Sequence, residues 1–290
     1  MTPSSTPTAR RQRLGAELRK LRERAGLTAT QAAALLGGNQ ARISNIEAGR
    51  YGVSAERVRT LTCLYECSNA DLTEALAAMT GDRKRGWWEE YREVLSSGLL
   101  DLAELEHHGQ RLRTAHTSGI PGLLQTREHT LEVMRQVVPA LPPPDVEHRL
   151  SFRMKRQAVL FREEAVPYQA IIHEAALRMK FGGPSVAGRQ LQHLLDMGEH
   201  THITILVLPF EAGAFPGSGQ PLYYVHGPLP QLDTVQLDQA HGIVLLDAEA
   251  QLDKYRQVFT RLESLALDAD SSADLIHNIA KSLGRDRTCL

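Results

Sequence analysis

The chain has 290 residues, 42% of them hydrophobic and 23% charged, with a net charge of -1. That is enough for one large or two ordinary domains with real cores, and it excludes a disordered chain or a disulfide-stapled miniprotein. The near-zero charge hides an asymmetry: residues 1–60 carry eleven Arg or Lys against four Asp or Glu, and the remainder carries 22 against 30. A basic front and an acidic back place any phosphate contact at the front.

The opening Met1–Thr8 is polar and rich in Pro, Ser and Thr, and residues 1–9 are expected to be disordered. From Arg10 to about Ala25, Leu14, Leu18 and Leu21 recur at helical spacing, and Gly26 ends the helix. Thr28 is placed to cap a second helix, with Gln31 completing a capping box, and Gly37-Gly38 breaks it. Asn39 is an N-cap for a third helix ending near Gly49. Ser54 caps a fourth to about Tyr65, with Val58, Leu61 and Leu64 inward, and a fifth is expected over 71–79.

Cys63 and Cys67 lie one turn apart, and a zinc site from them would need two further ligands that are not evident. Small hydrophobes buried on a helix are the better reading. With Cys289 the count is odd and lacks framework spacing, which argues against a secreted disulfide scaffold.

The polar stretch 80–86 is the best linker candidate. Trp87-Trp88 reads as packing of a connecting helix rather than a ligand platform. Pro142-Pro143-Pro144 opens a long helix to Phe161. Short β-like runs follow at 168–172, 202–208, 222–225 and 242–246, with a helix at about 185–199 between the first two and a Gly/Pro-rich loop over 209–221. Helices at about 248–266 and 271–283 close the chain, and 285–290 is a tail. No run approaches the roughly 20 apolar residues that span a bilayer. No apolar signal core follows the first arginines, so a cytoplasmic protein, nucleoid-associated when bound to DNA, and no membrane partner are expected.

Two short helices joined by a glycine turn, the second with a polar outer face, form the layout that places a recognition helix in the DNA major groove. Ala33 is small enough for the helices to cross closely, and Ile43 and Ile46 anchor one face of the second helix. Gln40, Arg42, Ser44 and Asn45 remain for the other, where Gln and Asn can pair with adenine and Arg with guanine or phosphate.

On these residues, and on the ending Ile43-Ser44-Asn45-Ile46-Glu47-Ala48-Gly49-Arg50, the stretch 10–66 resembles the Cro/C1-type helix-turn-helix of phage repressors and xenobiotic-response-element regulators. The resemblance implies a lambda-repressor-like, five-helix domain over 10–79. It also implies that Gln40, Ala41 and Asn45 face bases, that Arg42 and Arg50 reach base edges or phosphates, and that Arg22 pairs with Glu47 beneath the motif. The chain departs from the pattern at Ala29, where that family usually has a phosphate-contacting Gln, and at Ala32, usually Leu; Gln31 is the candidate replacement. The expected DNA-contacting set is Gln31, Asn39, Gln40, Ala41, Arg42, Ser44, Asn45 and Arg50.

Behind it, 87–284 reads as a mixed α+β domain for sensing or dimerisation. The strings Leu105-Glu106, Ile120-Pro121-Gly122-Leu123-Leu124-Gln125-Thr126, Arg153-x-x-Arg156, His173-Glu174-Ala175-Ala176-Leu177-Arg178 and Val207-Leu208-Pro209 occur there in order. In that order they resemble the C-terminal domain of a large actinobacterial regulator family, some of whose members are described as antitoxin-like. A search for an enzyme finds no nucleophile elbow, dinucleotide fingerprint or P-loop, so no catalytic residue and no cofactor is expected. His200-x-His202 would share one strand face but lacks a third ligand of recognisable spacing, so no metal is expected. Glu106, Arg153, Arg156 and Glu174 are candidates for buried ion pairs or for lining a pocket. The resulting expectation is a homodimeric DNA-binding regulator of operator DNA, responsive to a small molecule or a small partner protein. The alternative is an antitoxin-like module whose main task is to hold such a partner.

Overall fold

The computed structural model describes residues 7–80, 86–217, 219–239 and 242–285, with side chains in the last helix as far as Leu283. The expected disordered start, linker and tail fall mostly on 1–6, 81–85 and 286–290, outside the described residues. Thr8 and Ala9 correct the first of these. The Thr8 hydroxyl accepts the Arg11 amide at 3.4 Å, which caps a helix that already includes Ala9. The chain forms two compact units. The first comprises the described residues up to Glu90 together with Leu99–Leu105, and the second comprises Tyr91–Gly98 and the chain from Glu106 onward.

The first unit has the five expected helices: α1 (Ala9–Arg24), α2 (Ala29–Leu35), α3 (Gln40–Glu47), α4 (Ala55–Leu64) and α5 (Ala70–Ala78). Each starts the same way. Thr8, Thr28, Asn39, Ser54 and Asn69 sit in extended backbone and accept an amide of the first turn through a side-chain oxygen. One such cap is worth about 1 kcal/mol. Leu14, Leu18, Leu21, Ala32, Ala33, Ile43, Ile46, Val58, Leu61, Leu72 and Leu76 form the core, while Leu64, expected inside, is half-buried. Gly15 lies where α1 crosses the end of α3; a Cβ there would stand 2.3 Å from the Glu47 carbonyl oxygen. The reading of the cysteines is corrected. The phase set by Val58, Leu61, Thr62 and Tyr65 turns Cys63 outward. Cys67 lies past the helix end, half-buried, with Sγ 3.6 Å from the Asn69 carbonyl oxygen.

The second unit is built on six strands: β1 (Arg111–His116), β2 (Tyr168–His173), β3 (Ile203–Leu208), β4 (Leu222–His226), β5 (Thr234–Gln239) and β6 (Gly242–Leu246). Their spatial order is β3-β2-β1-β4-β5-β6. β1, β2 and β3 run parallel; β4, β5 and β6 form an antiparallel meander joined to the other side of β1. Parallel neighbours need long crossovers. The first carries α7 (Arg127–Arg135) and α8 (Pro143–Arg156), and the second carries α9 (Glu174–Arg178) and α10 (Gly183–Gly198). Helix α6 (Ser97–His108) precedes the sheet; α11 (Glu249–Leu265) and α12 (Ala269–Arg285) follow it.

Several expectations shift here. β1, β5, α6 and α7 had no counterpart in the sequence reading. The helix expected to reach Phe161 ends at Arg156 and tightens into a 3-10 turn over Gln157–Leu160. The two tryptophans stand edge-on at 6.0 Å in a 3-10 turn rather than on a regular helix. β3 begins at Ile203, so His200 and His202 precede the strand, and the His202 Nε2 meets the Leu160 carbonyl at 2.8 Å. No group of three metal-ligating side chains occurs among the described residues.

The two sheet faces differ. On one, Ala115, Ile171, Leu222, Tyr224, Val235 and Leu237 pack against Leu252, Phe259 and Leu262 of α11. The central strand β1 also contributes Arg113 to this face. Its guanidinium lies 4.3 Å from the centre of the Phe259 ring, donates to the Gln169 Oε1 at 2.7 Å and forms an ion pair with Glu263 at 2.8 Å. The exposed edge at β3 is closed by the chain entering α12: Leu267 N–H donates to the Val207 carbonyl, and the Ser272 hydroxyl accepts the Val207 amide, both at 2.9 Å. The opposite face combines buried apolar Leu112, Ala170, Ile172 and Val225 with a cluster of polar side chains.

Candidate nucleic-acid interface

The helix pair α2–α3 is fixed from beneath. Arg22 of α1 donates to both carboxylate oxygens of Glu47 at 2.6 and 2.9 Å and to the Leu27 carbonyl at 2.7 Å. The bond to Glu47 raises the Arg22 pKa despite its burial. Tyr65 lies close by, and burial together with the Glu47 charge pushes its hydroxyl up to about 12. Gly37, at φ +61°, turns the chain between the two helices. Gly49, at φ +70°, ends α3 where a Cβ would stand 2.9 Å from the Gln12 amide.

With Ile43 and Ile46 turned into the core, Gln40, Ala41, Arg42 and Ser44 are exposed and Asn45 is half-buried. Asn39, Ala41, Arg42, Asn45 and Arg50 come together along an open groove of about 540 Å³, with Ile46, Tyr51 and Gly52 completing its wall. Ser44 lies instead in a neighbouring hollow of about 280 Å³ with Arg19, Arg22, Ala29, Glu47 and Ala48. Among the described residues, the side chains of Gln40, Arg42, Ser44, Asn45 and Arg50 make no hydrogen bond or ion pair. Arg19, Arg22 and Arg59, by contrast, are each held by a glutamate.

Two expected contact residues have part of their bonding capacity engaged. The Asn39 Oδ1 accepts the Arg42 amide at 2.9 Å. The Gln31 Oε1 accepts the Thr28 amide at 2.8 Å in the capping box. Each keeps its amide NH2 group for an outside acceptor. The expected contact set did not include Arg19 or Tyr51, which line the two hollows. Tyr51 is 55% exposed on the groove. An aromatic next to Arg50 was a visible signal; Arg19 gave none, because only the fold brings it beside Ala29.

The candidates in the second unit separate. Glu106 accepts two bonds from Arg156, at 2.8 and 2.5 Å, and one from the Tyr223 hydroxyl at 3.0 Å. Arg153 lies nearby and donates to the Gln125 Oε1 at 2.8 Å. Glu174 is elsewhere: on α9 it accepts from Arg178 at 2.7 Å and from the Phe210 amide at 3.0 Å. It therefore lines no pocket with the other three. Strand register places Tyr168, Thr114, His116, Tyr223, Gln236 and Asp238 on the sheet face opposite α11. Burial, reinforced by the Arg156 charge, brings Arg153 down to about 10, so it stays cationic. Burial, with the Arg153 charge adding to it, pulls the imidazoles of His116 and His129 to about 4.

A helix-turn-helix domain model matches residues 13–76, and the five-helix first unit is a helix-turn-helix domain of the DNA-binding class. A second model, a domain of unknown function designated DUF5753, matches residues 99–278. That match covers more than half of the 290 residues, and the chain belongs to the DUF5753 family. No curated protein and no solved structure matches the chain. No helix among the described residues is long and apolar enough to cross a membrane.

Proposed function

We propose that the protein is a sequence-specific transcriptional regulator of the Cro/C1 type, which inserts α3 into the major groove of operator DNA. The observation that carries this reading is the set of unpartnered polar side chains on α3 and just beyond it. Gln40, Arg42, Asn45 and Arg50 are held outward by buried Ile43 and Ile46 and have no protein partner among the described residues. Gln40 and Asn45 read base edges, Ala41 packs against them, and Arg42 and Arg50 reach bases or phosphates. Gln31, Asn39 and Ser44 supply flanking contacts. The DUF5753 unit senses a small molecule or a partner and supports dimerisation, which would set half-sites about 34 Å apart.

A gel-shift titration against the protein's own upstream region tests this. Arg42→Ala and Asn45→Ala are each expected to weaken specific binding by roughly 10- to 100-fold, the range for one lost base contact. Variants that bind like the wild type would remove α3 from the interface.

A further inference from the structure

We infer that the polar cluster on the sheet face opposite α11 is a binding site for a small monoanionic carboxylate, with Arg153 as its anchor.

Glu106 is saturated by two bonds from Arg156 and one from Tyr223, so the Arg156 charge is matched inside the layer. Arg153 is not matched in this way. Its one hydrogen bond goes to a neutral amide oxygen, and no carboxylate lies within ion-pair distance of it among the described residues. Asp238, the other acidic group acting on it, is exposed and accepts from the Gln236 Nε2 at 3.0 Å. A buried charge is ordinarily paired, and this guanidinium is short of an anion.

The surroundings favour a bound group over a purely structural cation. Arg153 is half-buried whereas Arg156, Glu106 and Gln125 are fully buried, so it is the member of the layer that solvent can reach. The layer also holds polar atoms that are buried without a partner, the Tyr168 hydroxyl and Gln236 Oε1, and both ring nitrogens of His129, which feels the Arg153 charge, are likewise unpartnered. The hydroxyl and a neutral imidazole N–H are donors suited to a carboxylate oxygen. Gly122 stands over both guanidiniums, with a Cβ position 3.7 Å from the Arg153 Nε and 3.9 Å from the Arg156 Nη1. His116 closes β1 and Tyr168 opens β2, so the polar side chains run along the length of the parallel strands. A single unmatched cation with Glu106 and Asp238 nearby suits a monoanion and disfavours a phosphate dianion. A guanidinium matches the two oxygens of a carboxylate.

The influence of such a ligand on DNA binding rests on the sensing role proposed above; its binding does not. Thermal unfolding of the full chain with sodium benzoate, its uncharged analogue benzamide, or inorganic phosphate at about 10 mM and matched ionic strength separates the two. Benzoate is expected to raise Tm by about 3 °C, with benzamide and phosphate near zero. Arg153→Gln is expected to abolish the shift. Gly122→Val, which leaves every charge in place but presses a side chain onto the guanidiniums, is expected to abolish it too, and decides the matter if Arg153→Gln does not fold. Equal shifts with benzoate and benzamide, no shift with benzoate, or a benzoate shift that survives both substitutions would overturn the site. A benzoate shift in Tm with unchanged operator affinity in a gel shift would support the site and overturn the sensing role.

Discussion

Two backbone positions in the first unit show how single residues set its geometry. Gly15 is in the interior of α1, where glycine weakens a helix by about 0.5–1 kcal/mol relative to alanine. Its presence follows from the α1–α3 crossing, where a methyl group would collide with backbone that cannot yield. Gly15→Ala is therefore expected to lower the unfolding free energy by about 1–3 kcal/mol despite its better helix propensity. Urea denaturation reads this directly, and an unchanged midpoint would mean that the helices can separate freely. Glu66 is the opposite case. It is the only non-glycine among the described residues with positive φ, at 53°, and it follows α4 where α2 and α3 use Gly37 and Gly49. Glu66→Gly is expected to stabilise by about 0.5–1 kcal/mol, visible as a higher Tm.

At the scale of elements, α3 depends on its start. Asn39 caps it, and the helix has only two turns, so Asn39→Ala is expected to cost about 1 kcal/mol of stability. DNA affinity should fall further than stability alone explains, because the same residue lines the groove. Circular dichroism melts beside gel shifts would separate the two effects. The five helices of this unit were legible because their signals are local: a Thr, Ser or Asn cap, then Leu, Ile or Val at helical spacing. β1 was not legible for the converse reason. Arg-Leu-Arg-Thr-Ala-His reads as a surface segment, and it becomes a central strand only because Gln169, Phe259 and Glu263, distant in sequence, satisfy Arg113. Likewise, no spacing could reveal that Arg156 bonds Glu106 while Glu174 turns to α9 and Phe210. Arg42 and Asn45 were readable as a contact surface because the helical phase of Ile43 and Ile46 leaves them only one direction to face.

For the whole molecule, acid is expected to weaken the second unit before it weakens the first. His116 and His129 are held neutral, with pKa values of about 4 against an ordinary 6.5. The unfolded chain then binds more protons than the native one between those values, so stability falls as pH drops from about 6.5 toward 4. The loss is on the order of 3 kcal/mol for each imidazole that must charge on unfolding. His129 is buried against Phe181 with neither nitrogen bonded, and His129→Leu is expected to flatten part of this slope. Tm measured across that pH range checks it, and a slope identical to the wild type would place the effect elsewhere. The division of charge along the sequence carries over to the fold only in part: the basic residues 1–60 supply Arg42 and Arg50 on an open groove, but the same unit also takes in the acidic stretches 61–90 and 99–105.

The sheet joins two kinds of strand pairing, and this has a kinetic consequence. β4, β5 and β6 pair with their chain neighbours across short connections, whereas β1 must find β2 across more than fifty residues and two helices. Loop closure delays the second kind of contact. Refolding should therefore assemble the meander first, before β1 pairs with β2 or, across a still longer stretch of chain, with β4. Pulse-labelled hydrogen exchange is expected to protect the amides of β5 ahead of those of β2. The antiparallel half is in this sense the template of the sheet.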